Sequence, residues 1–308
     1  MQKTLVIILS ETRAHELTFD NFKKNVIDEL NADLCLCIGV KSDYDYENPF
    51  YKLAKYHFLY EEENDKSFAK SVEYSYQETP DKPEYENGIP AKHYNEFLKI
   101  KSHFGSDNIE NNDPCHFSNF IISTYIHVFF LWFLQKNMRD ADLISKYDRF
   151  LILRSDYMYA LPFPKMDVLD ERYVWIPDWE DYGGLCDRAV VLSRCHFEKY
   201  IRILESFYKK SNHYYSIIES RHDWNMERLL RVHLEEEKLF WSTRRYPYIS
   251  YAVRNVNGTT RWSEGNFSES LGYYIKYPSE YERALCYKGI YENMQPLDID
   301  EFYRKHLS

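Results

Sequence analysis

The chain contains the stretch Tyr147-Asp-Arg-Phe-Leu-Ile-Leu-Arg-Ser-Asp-Tyr-Met-Tyr159, in which an apolar run leads directly into polar residues. Phe150 to Leu153 have the composition of a buried central strand, and the chain turns polar where that strand ends. Arg154 and Asp156 are therefore expected at the carboxyl edge, where open α/β sheets bind ligands. A phosphate-bearing ligand suits this pair, because Arg154 can neutralise a phosphate while Asp156 holds a divalent cation or a ribose hydroxyl. The alternative is a structural Arg–Asp pair at a strand end.

A second polar segment follows about thirty residues later, in Trp175-Ile-Pro-Asp-Trp-Glu-Asp-Tyr-Gly-Gly-Leu-Cys-Asp-Arg-Ala-Val-Val-Leu-Ser193. A predicted strand leads into an acidic loop with two glycines, and a helical pattern then continues to Phe207. Gly183 and Gly184 permit backbone conformations with φ > 0 and the close approach of a ligand. Asp187 lies just beyond them. Together the two segments predict a sugar-nucleotide site.

The beginning of the chain adds a third segment, Leu5-Val-Ile-Ile-Leu-Ser-Glu-Thr-Arg13, which is followed by a helical pattern and by the apolar Asp33-Leu-Cys-Leu-Cys-Ile38. In this order the three segments resemble nucleotide-sugar glycosyltransferases of the GT-A fold, in particular polysaccharide-building enzymes of microbes and large DNA viruses. The resemblance covers roughly residues 3–40 and 115–245. It implies an α/β fold of the GT-A (Rossmann-like) type, with a mixed central sheet flanked by helices in one domain, plus a C-terminal extension.

The resemblance also implies which residues bind the donor: Ser10, Arg13, Arg154, Asp156, Gly183 and Gly184. In such enzymes a short acidic Asp-x-Asp motif binds the metal and the diphosphate. Here Arg154 stands in the place of the first acid, so Asp156 is the one carboxylate of the motif that remains for Mn²⁺ or Mg²⁺. Arg13 and Arg154 are expected to help neutralise the diphosphate.

Asp187 is the candidate catalytic base, since the resemblance implies that a later loop-to-helix acid takes the acceptor proton in inverting enzymes. The alternative for Asp187 is an N-cap of the following helix, and Glu180 and Asp181 compete for the catalytic position. The expected reaction moves a sugar from a nucleoside diphosphate donor, with a UDP-sugar favoured, to a glycan acceptor. The alternative function is a non-catalytic carbohydrate- or nucleotide-binding protein on the same fold, as the missing acid of Asp-x-Asp would allow.

Aromatic residues and histidines near these segments leave further alternatives open. Trp179, Tyr182 and Trp224 are candidates for stacking on a sugar or a base, and core packing is the other interpretation. His222 and His233 are candidates for a metal shell, although a histidine on an amphipathic helix is more often a core or surface residue.

Composition narrows the functional class. The chain has 308 residues, 44% of them hydrophobic, which is enough for one large α/β domain. A formal net charge of -10 argues against a broad nucleic-acid surface, because phosphate backbones are held by clustered Lys and Arg. The aromatic fraction of 18% suits a carbohydrate binder, but compositional bias of the source genome would explain this fraction equally well.

The cysteines and the apolar segments bear on the compartment. The six cysteines lack paired ligand spacing, which favours buried thiols in a reducing compartment. Leu5 to Leu9 is too short for the apolar part of a signal peptide. Phe117 to Leu134 approaches membrane-spanning length, but polar residues interrupt it, so we expect a buried helix under the sheet with His127 as a core histidine. These features predict a cytoplasmic protein with no transmembrane segment.

We expect a glycosyltransferase domain over residues 1–257, with 41–90 as an irregular insertion or lid, and a C-terminal extension over 258–308 that packs on it. An amphipathic helix is predicted after a cap at Asp223 or Asn225. Leu239 to Trp241 and Tyr248 to Val253 are predicted as strands.

Overall fold

The computed structural model describes residues 2–61, 116–210, 213–214, 216–217, 225–256, 265–294 and 297–308. Its strands are β1 (Thr4–Ser10), β2 (Asp33–Val40), β3 (Tyr56–Glu61), β4 (Arg149–Leu153), β5 (Tyr157–Tyr159), β6 (Val174–Pro177), β7 (Val190–Ser193), β8 (Thr243–Tyr246), β9 (Ser250–Arg254), β10 (Asn266–Ser268) and β11 (Tyr273–Ile275). Its α-helices are α1 (His15–Phe22, continued by a π-helix over Lys23–Asp28), α2 (Pro49–Leu53), α3 (His116–Asp140), α4 (Arg194–Tyr200), α5 (Ile203–Lys209), α6 (Met226–Glu236), α7 (Pro278–Asn293) and α8 (Ile299–His306).

Within the described residues, seven strands form a central sheet in the order β3-β2-β1-β4-β7-β6-β8. β1 is parallel to both β2 and β4, and β2 is parallel to β3, whereas β7 is antiparallel to β4 and to β6. The five residues of β4 are all buried, as expected for a strand that is covered on both faces. This mixed sheet flanked by helices confirms the predicted fold class.

Alternate side chains of β1 point into separate cores. Leu5 and Ile7 pack in a cluster with α3, whereas Val6 and Ile8 pack in a cluster with Phe22 and the π-helix after it. The predicted helix is present as α3, and its residues from Val128 to Leu134 pack against the sheet as expected. Among the described helices, none combines the length and the apolar composition that crossing a membrane requires.

A second sheet is antiparallel and has the order β10-β11-β9-β5. β5 begins directly after Asp156, and β11 ends directly before Lys276. Because β9 pairs with both β5 and β11, the segment after residue 265 is joined to the chain that leaves β4. This pairing brings distant parts of the sequence to one edge of the central sheet.

Two local expectations differ from the structure. Leu239 to Trp241 was predicted as a strand, but Phe240–Ser242 is a 3₁₀ turn that leads into β8. Asp187 is not at a helix start, because β7 intervenes and α4 begins only at Arg194, so the N-cap interpretation of Asp187 is wrong. The valines of β7 favour an extended strand, and burial between β4 and β6 stabilises it.

Two other expectations extend beyond what is described. The predicted insertion over 41–90 is described only as far as Glu61, as α2 and β3, and the rest lies outside the described residues. The proposed boundary at residue 257 lies at the start of the undescribed range 257–264, and the division into a domain and an extension stays a prediction.

Candidate active site

A cavity of about 410 Å³ lies at the carboxyl ends of β1 and β4. Because these parallel strands are neighbours, the polar residues that follow each of them meet at the same edge of the sheet. Residues that the sequence placed far apart line it together: Ser10, Arg13, His127, Arg154, Asp156, Tyr182, Asp187, Arg188, Asn225, Glu227, Lys276 and Tyr277. This edge of the sheet therefore holds a pocket that is lined by charged side chains of both signs.

The loops after β1 and β4 are tied to each other by Ser155. Its hydroxyl donates to the carbonyl oxygen of Glu11 at 2.8 Å and accepts from the backbone N–H of Arg13 at 2.9 Å. Ser10 turns the chain out of β1 with a φ of 85°, in the left-handed region that non-glycine residues rarely adopt. The structure therefore brings Ser10 and Arg13 beside the Arg-Ser-Asp segment.

Asp156 is buried between two guanidinium groups. Its Oδ2 accepts from Nη1 of Arg254 at 2.7 Å, and its Oδ1 accepts from Nε of Arg154 at 3.3 Å. Burial alone would raise the pKa of this carboxyl, but Arg154, Arg254 and Arg13 outweigh burial and hold the pKa well below its usual range. Asp156 is thus an ionised counter-charge with both oxygens engaged.

Four basic side chains gather around this carboxylate, and we call them the cationic cluster: Arg13, Arg154, Arg254 and Lys276. Lys276 is only 4% exposed. Burial and the charges of Arg254 and Arg154 lower its pKa to about 7. Nε and Nη2 of Arg254 have no hydrogen-bond partner among the described residues. The cluster is therefore short of negative charge, which is the electrostatic condition for an anion site.

The cavity is also lined by two carboxyls, Asp187 and Glu227, which we call the acidic pair. Oδ1 of Asp187 accepts from Nη1 of Arg188 at 2.6 Å, and the same nitrogen lies 3.6 Å from Oε1 of Glu227. The Arg188 guanidinium also lies 5.8 Å from the ring centre of Tyr182 and 5.7 Å from that of Tyr277. Arg188 is thus held between aromatic rings while it bridges the two acids.

The pKa values of the two acids shift in opposite directions. Burial would raise the pKa of Asp187, but the charges of Arg188, His127 and Arg154 lower it. Burial and then the charge of Asp187 raise the pKa of Glu227. One member of the pair is therefore ionised while the other retains its proton, a separation typical of acid–base sites.

The start of α6 fixes Glu227 in place. Oδ1 of Asn225 accepts from the backbone N–H of Arg228 at 2.7 Å, which confirms Asn225 as the cap. A Cβ on Gly184 would lie 2.0 Å from the carbonyl oxygen of Glu227, and the backbone N–H of Leu185 donates to that oxygen at 3.0 Å. The close approach that the glycine pair permits is therefore to protein backbone.

Gly183 and Gly184 are not among the residues that line the cavity. Their role in donor binding stays a prediction, whereas their role in positioning α6 is visible. Gly183 has a φ of 83°, and a Cβ there would lie 2.5 Å from Nη2 of Arg228. Both positions thus suit glycine for reasons internal to the fold.

The competing acids are engaged elsewhere. Asp181 accepts two hydrogen bonds of 2.8 Å from Arg245 and one of 2.9 Å from the backbone N–H of Cys186. Glu180 accepts from Ser279 at 3.0 Å. Neither acid lines the cavity. Asp187 therefore remains the better-placed candidate of the three.

The aromatic and histidine candidates separate in the same way. Tyr182 lines the cavity and is 48% exposed, which leaves its ring available for stacking, whereas Trp179 lies under the guanidinium of Arg283 outside the cavity. His127 was expected in the core, but it lines the cavity. His233 is a core residue bonded to the carbonyl oxygen of Lys199 at 2.9 Å. His222 and Trp224 lie outside the described residues.

The residues around Asp156 do not fit the expected Mn²⁺ or Mg²⁺. Hard cations prefer several oxygen ligands, but both oxygens of Asp156 are occupied by arginines, and further cations surround it. Over the described ranges, no group of three or more His, Cys, Asp or Glu side chains is arranged to hold a metal ion. The metal stays a prediction that these contacts do not support.

Sequence reasoning missed Arg254, Lys276 and Glu227 as residues of the site. Arg254 and Lys276 each follow a short apolar segment of the C-terminal third, and Glu227 lies in the first turn of an amphipathic helix. An acid in the first turn is favourable for any helix, so Glu227 carries no distinguishing signal. A basic residue at a strand end was the available sign for the other two.

Comparison with known proteins gives a limited result. No family model matches the chain, and no curated protein matches it. Among solved structures, the chain is similar to mouse xyloside xylosyltransferase 1 in its apo form, with a TM-score of 0.40 and 7% sequence identity, over 79% of this chain and 84% of that one. A TM-score below 0.5 supports no statement about activity, so the function is inferred from the residues of the cavity.

Proposed function

We propose that the chain is a glycosyltransferase that moves a sugar from a nucleoside diphosphate donor, with a UDP-sugar the first choice, to a glycan acceptor. The observation that carries the proposal is the division of one cavity between the cationic cluster and the acidic pair. A leaving diphosphate needs positive charge, and an attacking hydroxyl needs a proton acceptor. The cavity offers both within one site.

The chemistry assigns a role to each side. The bond between the anomeric carbon and the diphosphate oxygen breaks, and its electron pair leaves with the diphosphate, whose charge the cationic cluster stabilises. The acceptor oxygen forms the new bond to the anomeric carbon, and its proton passes to Asp187. Asp187 suits this role because its lowered pKa keeps it ionised, and Arg188 holds it in place. Attack on the face opposite to the diphosphate would invert the configuration.

Tyr182 supports the sugar or acceptor side of the proposal. Its partly exposed ring lies against the cavity beside Arg188, where an apolar sugar face can pack on it. Polysaccharide biosynthesis is the process that such an acceptor would imply.

The test is a panel of nucleotide sugars. Donor binding is measured by ligand-observed NMR, and slow release of nucleoside diphosphate without an acceptor is then measured for each donor that binds. We expect at least one donor to bind and to be hydrolysed. Binding without any turnover would instead indicate the non-catalytic binding protein, and no binding of any nucleotide would reject the glycosyltransferase.

A further inference from the structure

Positive charges outnumber negative charges around Asp156. Arg154 and Arg254 both contact this carboxylate, and Arg13 forms an ion pair with Glu11. Lys276 has no ion pair within the described residues, although it lines the cavity with Arg13 and Arg154. When Lys276 is protonated, a state that a neighbouring anion favours, the four cations and the two carboxylates leave about two positive charges, which matches the roughly two negative charges of a diphosphate diester.

Arg254 competes with a metal ion for the carboxylate of Asp156. Its Nη1 donates to Asp156 and to the carbonyl oxygen of Val253, each at 2.7 Å, and the backbone N–H of Val253 donates to the carbonyl oxygen of Asp156 at 2.9 Å. The pairing of β5 with β9 thus holds a guanidinium against the carboxylate that the sequence offered to a metal. A divalent cation at this position would be repelled by Arg154, Arg254 and Arg13.

From this geometry, and resting on the proposed function, we propose that the cationic cluster binds the diphosphate of the donor directly, without a divalent cation. Arg13, Arg154 and Lys276 face the cavity and contact the phosphates, while Arg254 lies behind them and neutralises Asp156. Guanidinium groups suit this role because their planar donors pair with phosphate oxygens in twos. The cluster thus performs the charge neutralisation that a metal performs in enzymes with Asp-x-Asp.

The test uses inorganic pyrophosphate and needs no sugar donor. Its binding to the whole chain is measured by titration calorimetry in EDTA and again in Mn²⁺. We expect binding in EDTA, affinity that Mn²⁺ does not increase, and weaker binding of orthophosphate. A requirement for Mn²⁺ would overturn the proposal, and equal affinity for orthophosphate would overturn the assignment to a diphosphate.

Lys276→Gln is the informative variant, because Lys276 is in no ion pair of the described structure and its loss leaves no buried carboxylate unpaired. Loss of one charged contact should weaken pyrophosphate binding roughly tenfold or more. Lys288→Gln is the matched control, since Lys288 is a partly exposed lysine of α7 whose one ion pair within the described residues is with Glu292 at 3.7 Å. Unchanged affinity in Lys276→Gln would remove Lys276 from the site and overturn the proposal.

These results are separate from the test of sugar transfer. Pyrophosphate binding in EDTA without any transfer would reject the proposed enzyme but keep the anion site. Transfer that depends on Mn²⁺ would keep the enzyme but reject this inference.

Discussion

Replacing Gly184 with alanine tests whether the glycine pair sets the position of Glu227 in the cavity. The added Cβ would lie 2.0 Å from the carbonyl oxygen of Glu227 and 2.1 Å from its carbonyl carbon, whereas ordinary contact begins near 3.4 Å. These atoms are backbone, and rotation of a side chain cannot relieve the clash. The loop and the start of α6 must therefore separate by about 1.4 Å, which is the difference between the 2.0 Å clash and the 3.4 Å of ordinary contact.

That movement has two measurable consequences. Overpacking of this kind costs roughly 1–3 kcal/mol of unfolding free energy. A misplacement of about 1 Å near reacting groups can lower a rate roughly 100-fold, so we expect sugar transfer by Gly184→Ala to fall by about that factor. The melting temperature should fall as well, by roughly 2–4 °C for each kcal/mol lost.

Gly289→Ala is the matched control. Gly289 lies within α7, and a Cβ there would have no atom within 4 Å, so its replacement should leave stability unchanged or raise it by up to about 1 kcal/mol. Thermal unfolding and transfer rates are measured for both variants. If Gly184→Ala has the same melting temperature as Gly289→Ala and transfers sugar at the wild-type rate, the close approach does not fix the position of Glu227 and the reasoning is refuted.

Three further substitutions test the charged groups. Asp187→Asn keeps the volume but removes the proton acceptor, so transfer should fall ~10²–10⁴-fold while nucleoside diphosphate affinity is unchanged, and a wild-type rate would rule out Asp187 as the base. The pKa of Glu227 is raised, so the folded wild type keeps a proton that the unfolded chain releases above about pH 4.3. The unfolding free energy of the wild type therefore falls as the pH rises from about 4.3 towards the pKa of Glu227 in the folded state. The stability advantage of Glu227→Gln in urea should therefore grow with pH, and a constant difference would contradict the shift. Asp156→Asn removes the counter-charge of the buried Arg254 and of the partly exposed Arg154, and should lose ~3–5 kcal/mol of unfolding free energy, part of it regained with pyrophosphate, whereas wild-type stability would show that the ion pairs contribute nothing.

The sequence by itself determined the central part of the fold and one side of the site. β1 and β4 are continuous apolar runs with polar ends, because strands of a covered sheet are buried on both faces. The resemblance implied that Ser10 and Arg13 belong to the same site as Arg154 and Asp156, and the parallel pairing of β1 with β4 is what places them at one edge. Local patterns carry this information because burial repeats along each strand.

Tertiary structure alone decided what the site can do. In the sequence, Asp156 has the features of a metal ligand. In the structure, the pairing of β5 with β9 brings Arg254, which is 98 residues away, close enough to donate a hydrogen bond to Asp156. Lys276 arrives through β11, and Glu227 acquires its raised pKa only because it is buried beside Asp187. The charge state of a group depends on its neighbours in space and on its burial, and a pattern of adjacent residues records neither.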